Sequence, residues 1–134
     1  QIARIQNATI DQISQGIKIR FLSRKSVEIC IVIKIDRPIG SIHPKHPGLI
    51  YPINYGDIPN VLGGDGEELD VYLLGIDVPI QECTARIIGI VHRHNDVEDK
   101  LVAAPEGLKF DKNKNSEAVH FQEQYYENEI EIYN

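Results

Sequence analysis

Isoleucine at every second position from 29 to 35 constrains this chain more than any other feature. On an extended backbone Ile29, Ile31, Ile33 and Ile35 point one way, and Glu28, Cys30, Val32, Lys34 and Asp36 point the other. Slipping the register by one residue would turn the whole apolar set into water. Positions 28–36 are therefore predicted to form a strand with one core face. Ile17, Ile19 and Phe21 oppose Lys18, Arg20 and Leu22 in a looser version of the same pattern. Further strands are predicted from Asp70 to Leu74, from Thr84 to Arg93 and from Lys100 to Ala104, the last stopped by Pro105-Glu106-Gly107.

The intervening text reads as loops and turns. Arg37 to Gly48 carries Pro38, Gly40, Pro44, Pro47 and Gly48 and is predicted to be a loop; Tyr51-Pro52-Ile53-Asn54-Tyr55-Gly56 is predicted to be a tight aromatic turn. A short helix is expected from Thr9 to Gln15. A terminal helix is expected from Ser116 onward, with Ser116 as its N-cap and Ala118, Phe121, Gln122 and Tyr125 on one face. Short strands with close turn signals and one terminal helix predict a mainly β (α+β) fold: a small OB-like closed β-barrel with a packed C-terminal helix. The expected organisation is a single domain over 1–134, with 1–26 as a poorly assigned N-terminal extension.

Composition narrows the function classes. A chain of 134 residues with 42% hydrophobic and 25% charged residues suits one soluble domain. It has no apolar run of the roughly 20 residues that span a bilayer, and no signal-peptide pattern, so a cytoplasmic protein without membrane partners is expected. Gln1 stands first and the chain has no Met, so its start is expected to be trimmed or processed. Cys30 and Cys83 lack metal-ligand spacing and are expected to be buried reduced thiols. A net charge of −6 argues against nucleic-acid binding, which needs a basic face. It leaves room for a small phosphate ligand, because bound divalent cations reverse the sign of an acidic site.

Asp65-Gly66-Glu67-Glu68-Leu69-Asp70 is the densest chemical signal. Carboxylates this close repel one another unless a cation or shared protons offset them. Mg²⁺ is commonly held by one or two carboxylates plus substrate phosphates; the plainer alternative is a solvated acidic turn. Asp96, Glu98 and Asp99 form a second acidic loop that could converge on the first and help hold paired ions, or be an exposed hairpin turn. Lys100 could place a charge on a phosphate or pair with Asp96 or Glu98. Tyr55 could donate to a phosphate oxygen or pack against the barrel. His43 and His46 suit a polar loop better than a metal site, and His92 and His94 receive no role. The sequence has neither a nucleophile elbow nor a Walker-type loop.

Taken together these motifs resemble the soluble inorganic pyrophosphatases of the Mg²⁺-dependent β-barrel type, over about residues 28–126. The family signature is Asp-Gly-Asp-Pro/Glu-apolar-Asp-apolar after a Tyr-Pro-x-Asn-Tyr-Gly turn; here it stands as Tyr51 to Gly56 and then Asp65 to Val71. Lys100 to Pro105, and His120-Phe121-Gln122-Glu123-Gln124-Tyr125, match later motifs in order. The resemblance implies metal ligation by Asp65, Asp70, Asp96 and either Glu98 or Asp99. It implies Mg²⁺ as cofactor, with Mn²⁺ second, and a homo-oligomer as the assembly. It places Glu67 where the family has an Asp acting as general base towards the attacking water. The extra methylene changes that reach by more than ~1 Å, and misplacement on this scale can cost about 10²-fold.

Tyr55, Lys100 and Tyr125 are implied to hold phosphate oxygens. The family's Arg before the Tyr-Pro turn is His43 here, the Lys after the helix Tyr is Tyr126, and Arg37, Lys45 and Lys34 are candidates to fill the gap. The expected function is Mg²⁺-dependent hydrolysis of pyrophosphate to two phosphates. The alternatives are hydrolysis of a larger nucleotide-type diphosphate, or binding of metal and phosphate without catalysis.

Overall fold

The alternating isoleucines form the strand they predict. The protein is described here by a computed structural model covering residues 17–23, 26–62, 66–94 and 98–133. Strand β2, Ser26–Arg37, buries Ile29, Ile31, Ile33 and Ile35 and leaves Lys34 and Asp36 exposed. One edge of β2 pairs first with β1 (Ile17–Ser23) and then with β5 (Asn54–Leu62); its other edge pairs with β7 (Glu82–Arg93). β5 continues to β6 (Glu68–Leu73), β6 lies parallel to β8 (Lys100–Ala104), and β8 returns antiparallel to β7. Among the described residues, β2, β5, β6, β8 and β7 thus close on themselves as a five-stranded barrel. Closure leaves these strands no free edge, at the cost of requiring close approaches. At Gly56, opposite Ile35, a Cβ would overlap the Lys34 carbonyl, so only glycine fits.

Strand alternation sorts two apolar clusters. Val71, Leu73, Leu101 and Ala103 face the barrel interior with the β2 isoleucines, while Tyr72, Leu74, Val102 and Ala104 face outward under helix α1 (Lys112–Glu123). A last strand, β9 (Asn128–Ile132), pairs with the second half of β7.

Four expectations about secondary structure need correction. Helix α1 starts at Lys112, not after Ser116: the Asp111 carboxylate accepts from the Lys114 amide at 2.8 Å and is the N-cap. The first turn, Lys112 to Asn115, is wholly polar, so no apolar periodicity marks it even though Asn115 is buried. The helix ends at Glu123, which places Tyr125 beyond it, and the chain re-enters the sheet as β9 with Ile130 buried. The segment read as a loop from Arg37 to Gly48 contains most of a hairpin of β3 (Ile42–His43) and β4 (His46–Ile50). The Tyr51–Gly56 segment is only partly a turn, because β5 begins at Asn54. The Asn54 amide is fully buried, accepting from Ile39 N at 3.1 Å and donating to the Val78 carbonyl at 3.0 Å, which is why the chain can pass from turn to strand here.

The helix expected over 9–15 lies outside the described residues. Cys30 and Cys83 are not bridged to each other and are half-buried rather than buried. Among the described residues no helix is long and apolar enough to cross a membrane.

Candidate functional site at the barrel mouth

The parallel register of β6 and β8 pairs Val71 with Leu101, so Asp70, the third residue of β6, and Lys100, the first of β8, lie side by side on neighbouring strands. They meet: the Lys100 ammonium donates to Asp70 Oδ2 at 2.5 Å and lies 3.2 Å from Glu98 Oε2. Lys100 and Glu98 are 5% and 4% exposed, so this cluster has lost most of its water. From β5, the Tyr55 hydroxyl also donates to Asp70 Oδ2, at 2.7 Å. Burial, and next the Asp70 charge, push the Tyr55 phenol well above its usual range, so it stays a neutral donor.

Beside Asp70 opens a cleft of about 690 Å³. Arg37, His43, Lys45, His46, Arg93 and Lys100 line it, together with Tyr55, Asp70, Gln122, Tyr125 and Tyr126. A chain of net charge −6, with 14 Lys and Arg residues, thus places Arg37, Lys45, Arg93 and Lys100 around one opening. The β3–β4 hairpin brings His43, Lys45 and His46. His43 is held below the usual imidazole range by burial first and then by Arg37, His46 and Lys45, which is what a positive field does to an imidazole. Arg37 lies 5.5 Å from the ring centroids of both Tyr51 and Tyr55 and donates to the Tyr51 hydroxyl at 2.5 Å.

The structure thus brings together Tyr55, Lys100, Tyr125, Arg37, Lys45 and His43 from the phosphate-binding expectation; Tyr125 is 68% exposed on the rim. Lys34 is exposed on β2 and does not line the cleft. The metal candidates are dispersed differently. Asp65 and Asp96 lie outside the described residues. Asp99 turns to His92 Nδ1 at 3.2 Å, while the other His92 nitrogen meets Glu131 at 2.9 Å. Glu67 is exposed on the turn into β6 and does not line the cleft. Among the described residues no three His, Cys, Asp or Glu side chains form a metal-holding group. Asp70 and Glu98 nevertheless converge on one cation, and a pair of hard carboxylate oxygens completed by phosphate oxygens is the donor set Mg²⁺ takes.

Sequence reasoning missed two features of the site. Asp57 pairs across the strands with Asp70, and its carboxyl is raised to about 6 by burial first and then by Asp36, Glu68 and Asp70. The even spacing of Asp36 on β2 and the Asp57 position in β5 would have shown this, had β5 been recognised. A carboxyl raised in the folded state binds its proton more tightly there, so stability falls as pH rises from about 4 to about 6 and stays lower above. Asp57→Asn is expected to melt higher than the parent at pH 8 and together with it below pH 4. Asp57 is only half-buried, so screening keeps the gain within ~1 kcal/mol, or about 2–4 °C by thermal melts at both pH values.

The second omission lies under the cleft. Glu123, 2% exposed, takes Arg93 Nη2 at 2.6 Å and Nε at 3.0 Å, and the Tyr72 hydroxyl at 2.5 Å. The Tyr126 ring covers the Arg93 guanidinium at 3.7 Å. Residues 30 and 51 positions apart make these contacts, and no local pattern encodes them.

A closed five-stranded barrel with a helix across one side places the chain among the small β-barrel proteins. The family model described as "Inorganic pyrophosphatase" matches residues 22–133, and the chain belongs to that family. It is 38% identical over 78 residues to an inorganic pyrophosphatase of Saccharolobus solfataricus, covering 55% of this chain and 42% of that protein. It is 31% identical over 96 residues to soluble inorganic pyrophosphatase 2 of Chlamydomonas reinhardtii, covering 69% and 45%. The chain therefore spans less than half the length of either relative. The crystal structure of the inorganic pyrophosphatase from Ehrlichia chaffeensis superposes with a TM-score of 0.60 at 21% identity, covering 77% of this chain and 85% of that one; at this identity the likeness establishes the fold.

Proposed function

We propose that the protein binds pyrophosphate in the cleft at the barrel mouth and hydrolyses it to two phosphates with a divalent cation, Mg²⁺ or in second place Mn²⁺. The observation that carries this reading is the convergence of Arg37, Lys45, Lys100, Tyr55 and Tyr125 on one cleft beside Asp70, in a chain of acidic composition. Asp70 and Glu98 are the described residues proposed to hold the cation, with Asp65 and Asp96 joining from their loops. Such an ion neutralises charge on phosphoryl oxygens and acidifies water. Lys100 and Arg37 offset charge developing on the leaving phosphate, and Tyr55, a phenol that stays protonated, is proposed to turn its one O–H from Asp70 to the phosphate when the cation takes the Asp70 oxygen. Glu67 is the proposed base towards the attacking water.

Two observations favour narrower readings. Glu67 lies away from the cleft lining, which favours binding of phosphate without turnover. The cleft volume falls within the range of pockets for much larger ligands, which favours a nucleotide-type diphosphate. Phosphate release from pyrophosphate and from a nucleoside diphosphate, each with millimolar Mg²⁺ or Mn²⁺, separates them. Release from pyrophosphate is expected, together with a rise in melting temperature on adding the metal. Release from the nucleotide alone would replace the substrate, and no release with either metal would leave only the binding reading.

A further inference from the structure

A single hydrogen-bond chain runs beneath the cleft, and its members donate in one direction. Arg37 donates to the Tyr51 hydroxyl at 2.5 Å; Tyr51 donates to Gln122 Oε1 at 2.6 Å; Gln122 Nε2 donates to the Tyr72 hydroxyl at 2.7 Å; Tyr72 donates to Glu123 at 2.5 Å. Tyr51, Tyr72 and Glu123 are each at most 2% exposed and Gln122 is 7% exposed. The direction follows from chemistry at both ends. A guanidinium can only donate and an ionised carboxylate can only accept, so each group between them has its proton assigned. Gln122 is the only member whose two ends differ, and its amide oxygen draws the Tyr51 proton away from Arg37. This keeps a Tyr51 lone pair turned towards the guanidinium.

The nature of that tie distinguishes Arg37 from Lys100 and Arg93, which share the cleft. Lys100 is paired with the carboxylates of Asp70 and Glu98, and Arg93 with that of Glu123. The tie from Tyr51 to Arg37 is a neutral oxygen, which orients the guanidinium without itself cancelling charge; the neighbouring Asp36 carboxylate acts on Arg37 through its field. We infer that Gln122 is a positioning residue for anion binding: through Tyr51 it holds Arg37 ready for a phosphate group of the substrate. This rests on the reading of the cleft as a diphosphate site. Holding the arginine in place beforehand removes ordering that binding would otherwise have to supply, equivalent to about 3–10-fold in affinity.

Calorimetric titration with methylenediphosphonate and Mg²⁺ tests this on the parent, Gln122→Leu, Tyr51→Phe, Arg37→Ala and the double variant Arg37→Ala/Gln122→Leu. Gln122→Leu and Tyr51→Phe are each expected to weaken binding about 3–10-fold. In the Arg37→Ala background Gln122→Leu is expected to add less than about twofold, because coupled residues are not additive. Val119→Ala, a lesion in the same helix away from the chain of bonds, controls for loss of stability: its melting temperature should fall while its affinity stays that of the parent. If the parent does not bind the probe, the diphosphate reading of the cleft fails and the inference with it. If the parent binds but Gln122→Leu matches it, or loses affinity equally with Arg37 absent, the inference alone is overturned.

Discussion

Asp70→Asn is expected to lower pyrophosphate hydrolysis about 10²–10³-fold while moving the melting temperature by only a few degrees. One oxygen of Asp70 takes the Tyr55 hydroxyl and the Lys100 ammonium together, so this carboxylate fixes both groups relative to each other. An asparagine keeps the shape but loses the charge, and its oxygen accepts more weakly from each partner. Losing one preorganised electrostatic group costs about 10²–10³ in turnover. The fold tolerates the change because Lys100 retains Glu98 at 3.2 Å and is not left as an uncompensated buried charge. Phosphate-release kinetics and thermal melts on the same preparation check both halves. Turnover within a few-fold of the parent would remove Asp70 from the reaction.

The largest effect on stability is expected at Arg93. Arg93→Met should lower stability by about 3–5 kcal/mol, or roughly 10–15 °C, because it strands Glu123 in the core with the Tyr72 hydroxyl as its remaining mapped donor. Burial, and next the Glu123 charge, already hold the Tyr72 phenol well above its usual range, so this proton cannot be given up to compensate. The double variant Arg93→Met/Glu123→Leu should recover much of the loss, since replacing a buried ion pair by apolar side chains is often neutral. Urea or thermal unfolding of the two variants distinguishes a buried pair from a solvated one, for which both would lie within ~1 kcal/mol of the parent.

These two sites mark where the sequence was informative and where it was silent. Asp70 stood out as the end of a dense acidic run and Lys100 as the cation after a second acidic loop, but the parallel strand pairing that brings the two together is a tertiary fact. The β2 face was legible because alternation is a local property of four isoleucines. β5 was not, since Pro52, Gly56 and Pro59 punctuate it like a loop; the buried Asn54 amide and the close approach at Gly56 are tertiary reasons. β9 was readable from Ile130 and Ile132 against Glu129 and Glu131 but was absorbed into a helix carried too far. Arg93 with Glu123 joins strand to helix, Tyr51 with Gln122 joins turn to helix, and neither leaves a trace in any window of sequence.

The sharing of one edge of β7 has a consequence during synthesis. β2 covers its first half, from Glu82 to Arg86, and β9 covers its second, from Gly89 to Arg93. β9 leaves the ribosome some 35 residues after β7, or several seconds at ordinary elongation rates. Through that interval the Gly89–Arg93 backbone is an open template for any passing extended chain. His92 on that same stretch meets Glu131 of β9 at 2.9 Å, so the strand that closes the seam also carries a partner for the edge it covers.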